Sequence, residues 1–311
     1  MSSRRKFIGQ AALATGSFLI NSKLTNATSL FDQPVKLTIL HTNDTHSRID
    51  PFPMDGSRYA GMGGVAARAK FIEAIRATEK NVLLFDAGDI FQGTAYFNVY
   101  KGEPEIKSMS YMNYDATTIG NHDFDAGLEN LRDQLNAHAN FPMIVCNYDF
   151  NDTPMEHTSA PYKIFKKGSL KIGVFGLGIE IQGRIPALLS GNTKYLEPIQ
   201  MANRYAKELK DKSCDLVVCL SHLGYKYNTA QVSDLVLAKE TENIDLIIGG
   251  HTHTFLPAPV AVKNKNGIDV LINQVGWAGL QLGRLDYIFE KNNRKKLIQS
   301  NSISITKKSA I

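Results

Sequence analysis

Five short motifs of this 311-residue sequence concentrate side chains that can bind metal ions. The motifs are "HTNDTH" (41–46), "DAGD" (86–89), "GNHDFD" (120–125), "SHLG" (221–224) and "GGHTHT" (249–254). Each motif alone is common in proteins that bind no metal. Together they offer two carboxylates, one amide oxygen and four imidazoles, from Asp44, Asp89, Asn121, His46, His222, His251 and His253.

Seven such groups are too many for one tetrahedral ion and suit two ions that share a bridging carboxylate. Nitrogen and oxygen donors without a thiolate fit Zn²⁺, Mn²⁺, Fe or Co²⁺, and the donor set does not choose among them. Two divalent ions held by two carboxylates keep a positive charge, which favours hydroxide and phosphate as further ligands. A pair of metal ions activates a bridging water and stabilises both the attacking and the leaving oxygen of an in-line displacement. The motifs therefore predict a dinuclear hydrolytic site.

Every motif follows an apolar run that is typical of a buried strand. These runs are residues 35–40, 81–85, 115–119, 215–220 and 244–248. In open α/β sheets, functional groups collect at the carboxyl ends of strands. Residues i and i+2 of an extended segment point the same way, so His251 and His253 are expected to face one region.

The remaining elements complete an α/β pattern. Two further strands are predicted at 141–146 and 170–177, and amphipathic helices at 65–78, 127–139 and 198–212. The last apolar runs, 267–276, 282–291 and 296–305, follow one another without a helix. The sequence therefore predicts that the domain closes with antiparallel strands near Ile305, with a hairpin turn at 292–294.

The basic charge of the chain is concentrated at its N-terminus. The net charge is +5, but the first 27 residues hold four basic side chains and no acid, and the rest is nearly balanced. This distribution gives no sign of a nucleic-acid partner. Residues 1–30, with "SRRKFI" before a short apolar run too weak to span a bilayer, resemble a twin-arginine export signal cleaved near Ala27. We therefore expect a periplasmic or exported protein without a membrane span in the mature chain; a disordered basic tail is the alternative.

The motifs "ILHTNDTH", "DAGDIFQGT", "IGNHDFD", "LSHLG" and "GGHTHT", in this order, resemble the calcineurin-like metallophosphoesterases. The sequence is similar to the catalytic domain of the 5′-nucleotidase and 2′,3′-cyclic phosphodiesterase family over roughly residues 36–290. The resemblance implies a four-layer α/β/β/α sandwich as a catalytic domain at 35–306, followed by a short tail at 307–311. It also implies a phosphoester hydrolase that releases phosphate from nucleotides by attack of a metal-bridging hydroxide.

The resemblance further implies roles for individual residues. One metal ion would be held by Asp44, His46, Asp89 and His253. The other would be held by Asp89, Asn121, His222 and His251. His122 would lie over the phosphate, with Asn121 as a second substrate contact, and would stabilise the transition state or protonate the leaving oxygen. Asp125 would orient His122. Asp123, where the family often has Glu, is assigned no role.

Full-length 5′-nucleotidases carry a second, C-terminal domain that binds the nucleotide, and this sequence ends after the catalytic domain. We therefore expect that a separate polypeptide supplies the nucleotide-binding domain, or that the enzyme accepts small phosphoesters loosely. Trp277 is interpreted as a packing residue. Three alternatives stay open: a hydrolase of UDP-sugars or cyclic phosphodiesters, a thiosulfohydrolase-like enzyme, and a non-catalytic metal-binding subunit of a nucleotidase complex.

Overall fold

The computed structural model describes residues 34–290 and 294–306. In chain order the strands are β1 (Val35–Thr42), β2 (Val82–Asp86), β3 (Ala116–Thr117), β4 (Met143–Ile144), β5 (Tyr148–Asp149), β6 (Ser159–Ala160), β7 (Tyr162–Lys167), β8 (Leu170–Leu177), β9 (Lys194–Tyr195), β10 (Leu216–Ser221), β11 (Leu246–Gly249), β12 (Val260–Lys263), β13 (Asp269–Asn273), β14 (Gln281–Glu290) and β15 (Arg294–Ser304). The α-helices are α1 (Val65–Thr78), α2 (Ala95–Tyr100), α3 (Glu103–Tyr111), α4 (Gly127–His138), α5 (Ala187–Ser190), α6 (Pro198–Asp211) and α7 (Asp234–Glu240), and His122–Phe124 form a 3₁₀ turn.

Two mixed sheets form the centre of the molecule. The first has seven strands in the order β15-β14-β1-β2-β3-β4-β6, and the second has six in the order β12-β13-β11-β10-β8-β7. A small third sheet pairs β5 with β9. The strands β1, β2 and β3 run parallel, as do β8, β10 and β11, so each large sheet gathers several carboxyl strand ends at one edge.

The two large sheets pack face to face, and helices cover their outer faces. The apolar layer between the sheets includes Ile39, Phe85, Val174, Val218, Ile248 and Leu285. Helices α1, α3 and α4 bury Ile72, Ile106 and Leu131 against the first sheet, and α6 and α7 bury Ala206 and Leu237 against the second. This is the predicted four-layer α/β/β/α sandwich.

Strand β10 shows why these runs carry so few polar residues. Leu216 and Val218 face the other sheet, whereas Val217 and Cys219 face the helices. Because both faces of the strand are covered, an unbroken apolar run replaces the alternation seen in half-exposed strands. Helix α6 begins at Pro198 after Glu197, whose side chain accepts hydrogen bonds from the first turn.

The predicted helices agree with the observed ones to within one residue at each end. The predicted strands 115–119 and 141–146 shrink to the two-residue strands β3 and β4. The antiparallel ending is confirmed for β14 and β15, but β13 lies in the other sheet, parallel to β11. Residues 1–30, most of the turn at 292–294 and the tail at 307–311 lie outside the described residues. Within the described ranges, no helix combines the length and apolar character that a membrane span requires.

Candidate metal centre

The loops after five parallel strands bring the predicted metal-binding side chains into two adjacent groups. The first group is Asp44, His46 and His253, and the second is Asp89, His222 and His251. Within each group the candidate ligand atoms lie within 4.8 Å of one another. Asn121 joins the second group, because its Oδ1 lies 2.8 Å from Nδ1 of His251. The structure thus brings all seven predicted residues together.

Asp89 lies between the two groups. Its Oδ2 is 3.1 Å from Nε2 of His222 in its own group and 3.9 Å from Nε2 of His46 in the other. Asp44 faces the second group in turn, with Oδ1 3.9 Å from Nε2 of His222. The position of Asp89 between the two groups suits a carboxylate that bridges two ions.

The chemistry of the donor atoms fits cations at these positions. Nδ1 of His222 lies 2.6 Å from the carbonyl oxygen of Ala87, to which it donates a hydrogen bond. The lone pair of the neutral ring is then on Nε2, which is buried without a hydrogen-bond partner among the described residues and faces the carboxylate of Asp89. Nε2 of His46 and Nε2 of His253 lie 3.0 Å apart, so that one ring donates a proton to the other or both rings face a cation. A metal ion bound by neutral histidines would take the place of such a proton.

The pKa values of the candidate ligands are shifted by burial and by the charges of the neighbouring ligands. Burial lowers the pKa of His222, but the carboxylates of Asp89 and Asp44 outweigh it and raise the value to about 10. Burial opposes ionisation of Asp89, yet the imidazoles of His222 and His46 hold its pKa below the usual range. Burial lowers the pKa of His46, and it lowers that of His251 to about 4. The last two rings are therefore neutral near pH 7, which is the form that binds a metal ion.

Most of the candidate ligands adopt a backbone conformation that is unfavourable for residues other than glycine. Positive φ values between 47° and 68° occur at Asp44, His46, Asp89, His251 and His253. Each such residue costs about 1–3 kcal/mol, and such strain is concentrated at functional sites. Backbone hydrogen bonds maintain it: the amide of Asp44 donates to the carbonyl of Gly88, and that of His46 to the carbonyl of Asp89.

Two glycines of the motifs allow the loops to approach closely. A Cβ on Gly88, whose φ is 87°, would lie 2.6 Å from the amide nitrogen of Gly120 and 2.9 Å from Nδ1 of His222. A Cβ on Gly120 would overlap the carboxylate of Asp89. The glycines beside the acidic residues are therefore required by the tight packing of the site.

Asp123 is a residue of the site that sequence reasoning left without a role. Its buried carboxylate accepts four backbone N–H groups, those of Asp89, Ile90, Phe91 and Gly120, at 2.8–3.2 Å. It thereby fixes the loop that carries Asp89 to the loop that carries Asn121. Its position inside the motif "GNHDFD" was the available signal, but the sequence does not show what a carboxylate accepts.

His122 and Asp125 form the predicted pair. Nδ1 of His122 lies 2.8 Å from Oδ2 of Asp125, and both side chains are partly exposed. The amide of His122 donates to Oδ1 of Asp89 at 2.8 Å. The hydrogen bond that Nδ1 of His122 donates to Asp125 is the main reason that the pKa of His122 is raised. Nδ1 is thus engaged by Asp125, and Nε2 forms no hydrogen bond with the part of the chain that the structure describes.

A two-sheet sandwich with two facing groups of nitrogen and oxygen donors at one edge defines the class of dinuclear metallohydrolases. The family profile described as "Calcineurin-like phosphoesterase" matches residues 37–255. The chain belongs to this family, whose members use a dinuclear divalent metal site.

The matched relatives carry 5′-nucleotidase names. A snake venom 5′-nucleotidase of Crotalus adamanteus is 34% identical over 294 residues, which are 88% of this chain and 48% of that protein. The 5′-nucleotidase of Homo sapiens is 33% identical over 298 residues, covering 89% of this chain and 50% of that protein. The crystal structure of a 5′-nucleotidase precursor from Thermus thermophilus gives a TM-score of 0.79 at 33% identity, over 89% of this chain and 55% of that one. The chain thus spans about half the length of the curated relatives named here.

Proposed function

We propose that this chain is a dimetal-dependent phosphoester hydrolase of the 5′-nucleotidase type, which releases phosphate from nucleotides. The observation that carries the proposal is the position of Asp89 between two groups of imidazole and carboxylate side chains, and within each group the candidate ligand atoms lie within 4.8 Å of one another. The family membership and the names of the relatives support the reaction class and the nucleotide substrate.

In this proposal Asp44, His46, Asp89 and His253 hold one ion, and Asp89, Asn121, His222 and His251 hold the other. A bound pair of divalent ions would supply an activated water and neutralise charge on the phosphoryl oxygens. Asp123 and the glycines of the motifs keep the donor atoms in place.

His122 is the proposed catalytic acid, and Asn121 the second contact to the phosphate. The carboxylate of Asp125 accepts a hydrogen bond from Nδ1–H of His122 and thereby fixes the ring orientation. Nε2 then faces the substrate side, where it donates a proton to the oxygen of the leaving nucleoside or hydrogen-bonds to the phosphate.

The test is a panel of phosphoesters with the mature chain, with and without added Mn²⁺, Zn²⁺ or Co²⁺. His122→Ala should lower kcat by roughly 10²–10⁴-fold while metal content stays at two ions per chain, because His122 is not a proposed ligand. Unchanged turnover in His122→Ala contradicts the assigned role. Activity that is equal in chelator-treated and metal-loaded samples contradicts the dimetal mechanism.

The same panel decides the substrate. Efficient hydrolysis of AMP relative to an aryl phosphate supports a 5′-nucleotidase that acts as a single chain. Equal, weak hydrolysis of both supports a separate polypeptide that supplies the nucleotide contacts. A clear preference for UDP-sugars, cyclic phosphodiesters or a thiosulfate ester on a carrier selects one of the related hydrolases, and metal binding without any turnover selects the non-catalytic subunit.

We also propose that the protein is exported in folded form, because residues 1–30 resemble a twin-arginine signal. Replacing both Arg4 and Arg5 by Lys should retain the protein in the cytoplasm, as detected by cell fractionation. Continued export of that variant contradicts the proposal.

A further inference from the structure

Trp277, the only tryptophan of the chain, lies flat against the imidazole of His253. The ring centroids are 5.7 Å apart and the ring planes are inclined by 8°. Offset-parallel rings at this separation attract each other. The sequence suggested a packing residue, and the structure shows that its packing partner is a candidate metal ligand.

His253 differs from His222 and His46 in how its ring is held. The ring nitrogen Nδ1 of His222 contacts the carbonyl oxygen of Ala87, and Nδ1 of His46 contacts the carbonyl oxygen of Phe91. In residues 34–290 and 294–306, no polar group forms a hydrogen bond with Nδ1 of His253, and 40% of this side chain is exposed. Ligating histidines are usually oriented by a hydrogen bond to the second ring nitrogen.

The indole can replace that hydrogen bond because its own position is fixed. The amide of Ala278 donates to the carbonyl of Asp44 at 2.7 Å, and the amide of Gly276 donates to the carbonyl of Thr254 at 3.0 Å. Trp277 is therefore held between the two loops that carry the first metal-binding group. Phe52 packs edge-on against the indole, with a centroid distance of 5.8 Å.

We propose that Trp277 is a positioning residue: its indole holds the His253 ring in the orientation that directs Nε2 toward Asp44 and His46. A partial rotation of this imidazole about its Cβ–Cγ bond would tilt the ring out of the parallel stack. A half-exposed ring that is already oriented loses less freedom when it binds an ion, so the stack raises the affinity of the first group. The inference rests on the proposed dimetal function.

Calorimetric titration of the metal-free chain with Mn²⁺ tests the proposal. Trp277→Ala should weaken one of the two binding steps by roughly tenfold and leave the other unchanged. Trp277→Phe, which keeps an aromatic face, should retain most of the affinity. Tyr111→Ala is the matched control, because Tyr111 is an aromatic residue at the end of α3 that is 79% exposed, and both binding steps of this variant should equal those of the wild type.

The single tryptophan gives a second readout that needs no substitution of Trp277. When Zn²⁺ is added to the wild-type chain, tryptophan fluorescence should change with one binding step only, and His253→Ala should remove that change. If Trp277→Ala does not fold, Trp277→Leu takes its place, because it keeps an apolar side chain without an aromatic face and should weaken the same binding step.

Two outcomes overturn the positioning role and leave the proposed function intact. One is that Trp277→Ala binds Mn²⁺ in both steps with the affinities of the wild type. The other is that tryptophan fluorescence of the wild type changes in neither binding step. A wild-type chain that binds no divalent ion overturns the proposed function itself.

Discussion

At the scale of single residues, Asp123 supports the candidate site without being a predicted ligand. Replacing it by Ala leaves four buried N–H groups without their acceptor. Because each unsatisfied buried donor costs about 1–3 kcal/mol and the loops can partly relax, Asp123→Ala should lower the free energy of unfolding by about 3–5 kcal/mol. Urea denaturation of the metal-free protein measures this change.

The matched control is Asp133→Ala. Asp133 lies on α4 with 63% of its side chain exposed, so its removal should change stability by less than about 0.5 kcal/mol. If Asp123→Ala is as mild as the control, the carboxylate is not the anchor of the two loops.

The types of the site residues were predictable, and their conformations were not. Asp44, Asp89 and His251 follow apolar runs, and the order of the motifs indicated that these residues lie in one site. Their positive φ values left no signal in the sequence, because a left-handed aspartate or histidine is encoded by the hydrogen bonds of the surrounding loops. The same holds for Trp277, whose partner His253 is 24 positions earlier in the chain.

At the scale of elements, β8 contains two glycines with different surroundings. A Cβ on Gly176 would overlap the backbone carbonyl oxygen of Ile144 in β4, so the two sheets approach each other at this point through their main chains. A Cβ on Gly173 would lie 2.8 Å from the end of the Leu209 side chain, which can move. Gly176→Ala should therefore cost about 3 kcal/mol or more, and Gly173→Ala about 1–2 kcal/mol.

Thermal or chemical denaturation of the two variants checks this difference within one strand. Equal costs would show that the sheets can separate at β4 as easily as Leu209 can shift.

Element prediction succeeded where local pattern is strong and failed where pairing is distant. Helix α1 and strand β8 were predicted residue for residue from their apolar spacing. Strands β3 and β4 were predicted too long, because their apolar residues continue past the few that pair. Strand β13 joins β11 rather than β14, and such a choice depends on contacts far apart in sequence.

At the scale of the whole molecule, the candidate metal centre joins the two sheets. Asp44 and Asp89 follow strands of the first sheet, whereas His222, His251 and His253 follow strands of the second. Ions bound between them would cross-link segments that are about two hundred residues apart. Binding to the folded state alone stabilises it, by about 2.7 kcal/mol when the free ion is 100-fold above its Kd.

Metal loading should therefore raise the melting temperature. For a domain of this size, the stabilisation corresponds to a Tm about 5 °C higher with Mn²⁺ than after chelator treatment. His222→Ala should lose most of this increase in Tm, because the variant removes a buried imidazole that is a proposed metal ligand beside Asp89. His157→Ala should keep it, because His157 is an exposed loop residue with 90% of its side chain accessible. Calorimetric scans of the three proteins with and without metal make the comparison, and a shift equally large in His222→Ala would place the ions elsewhere on the molecule.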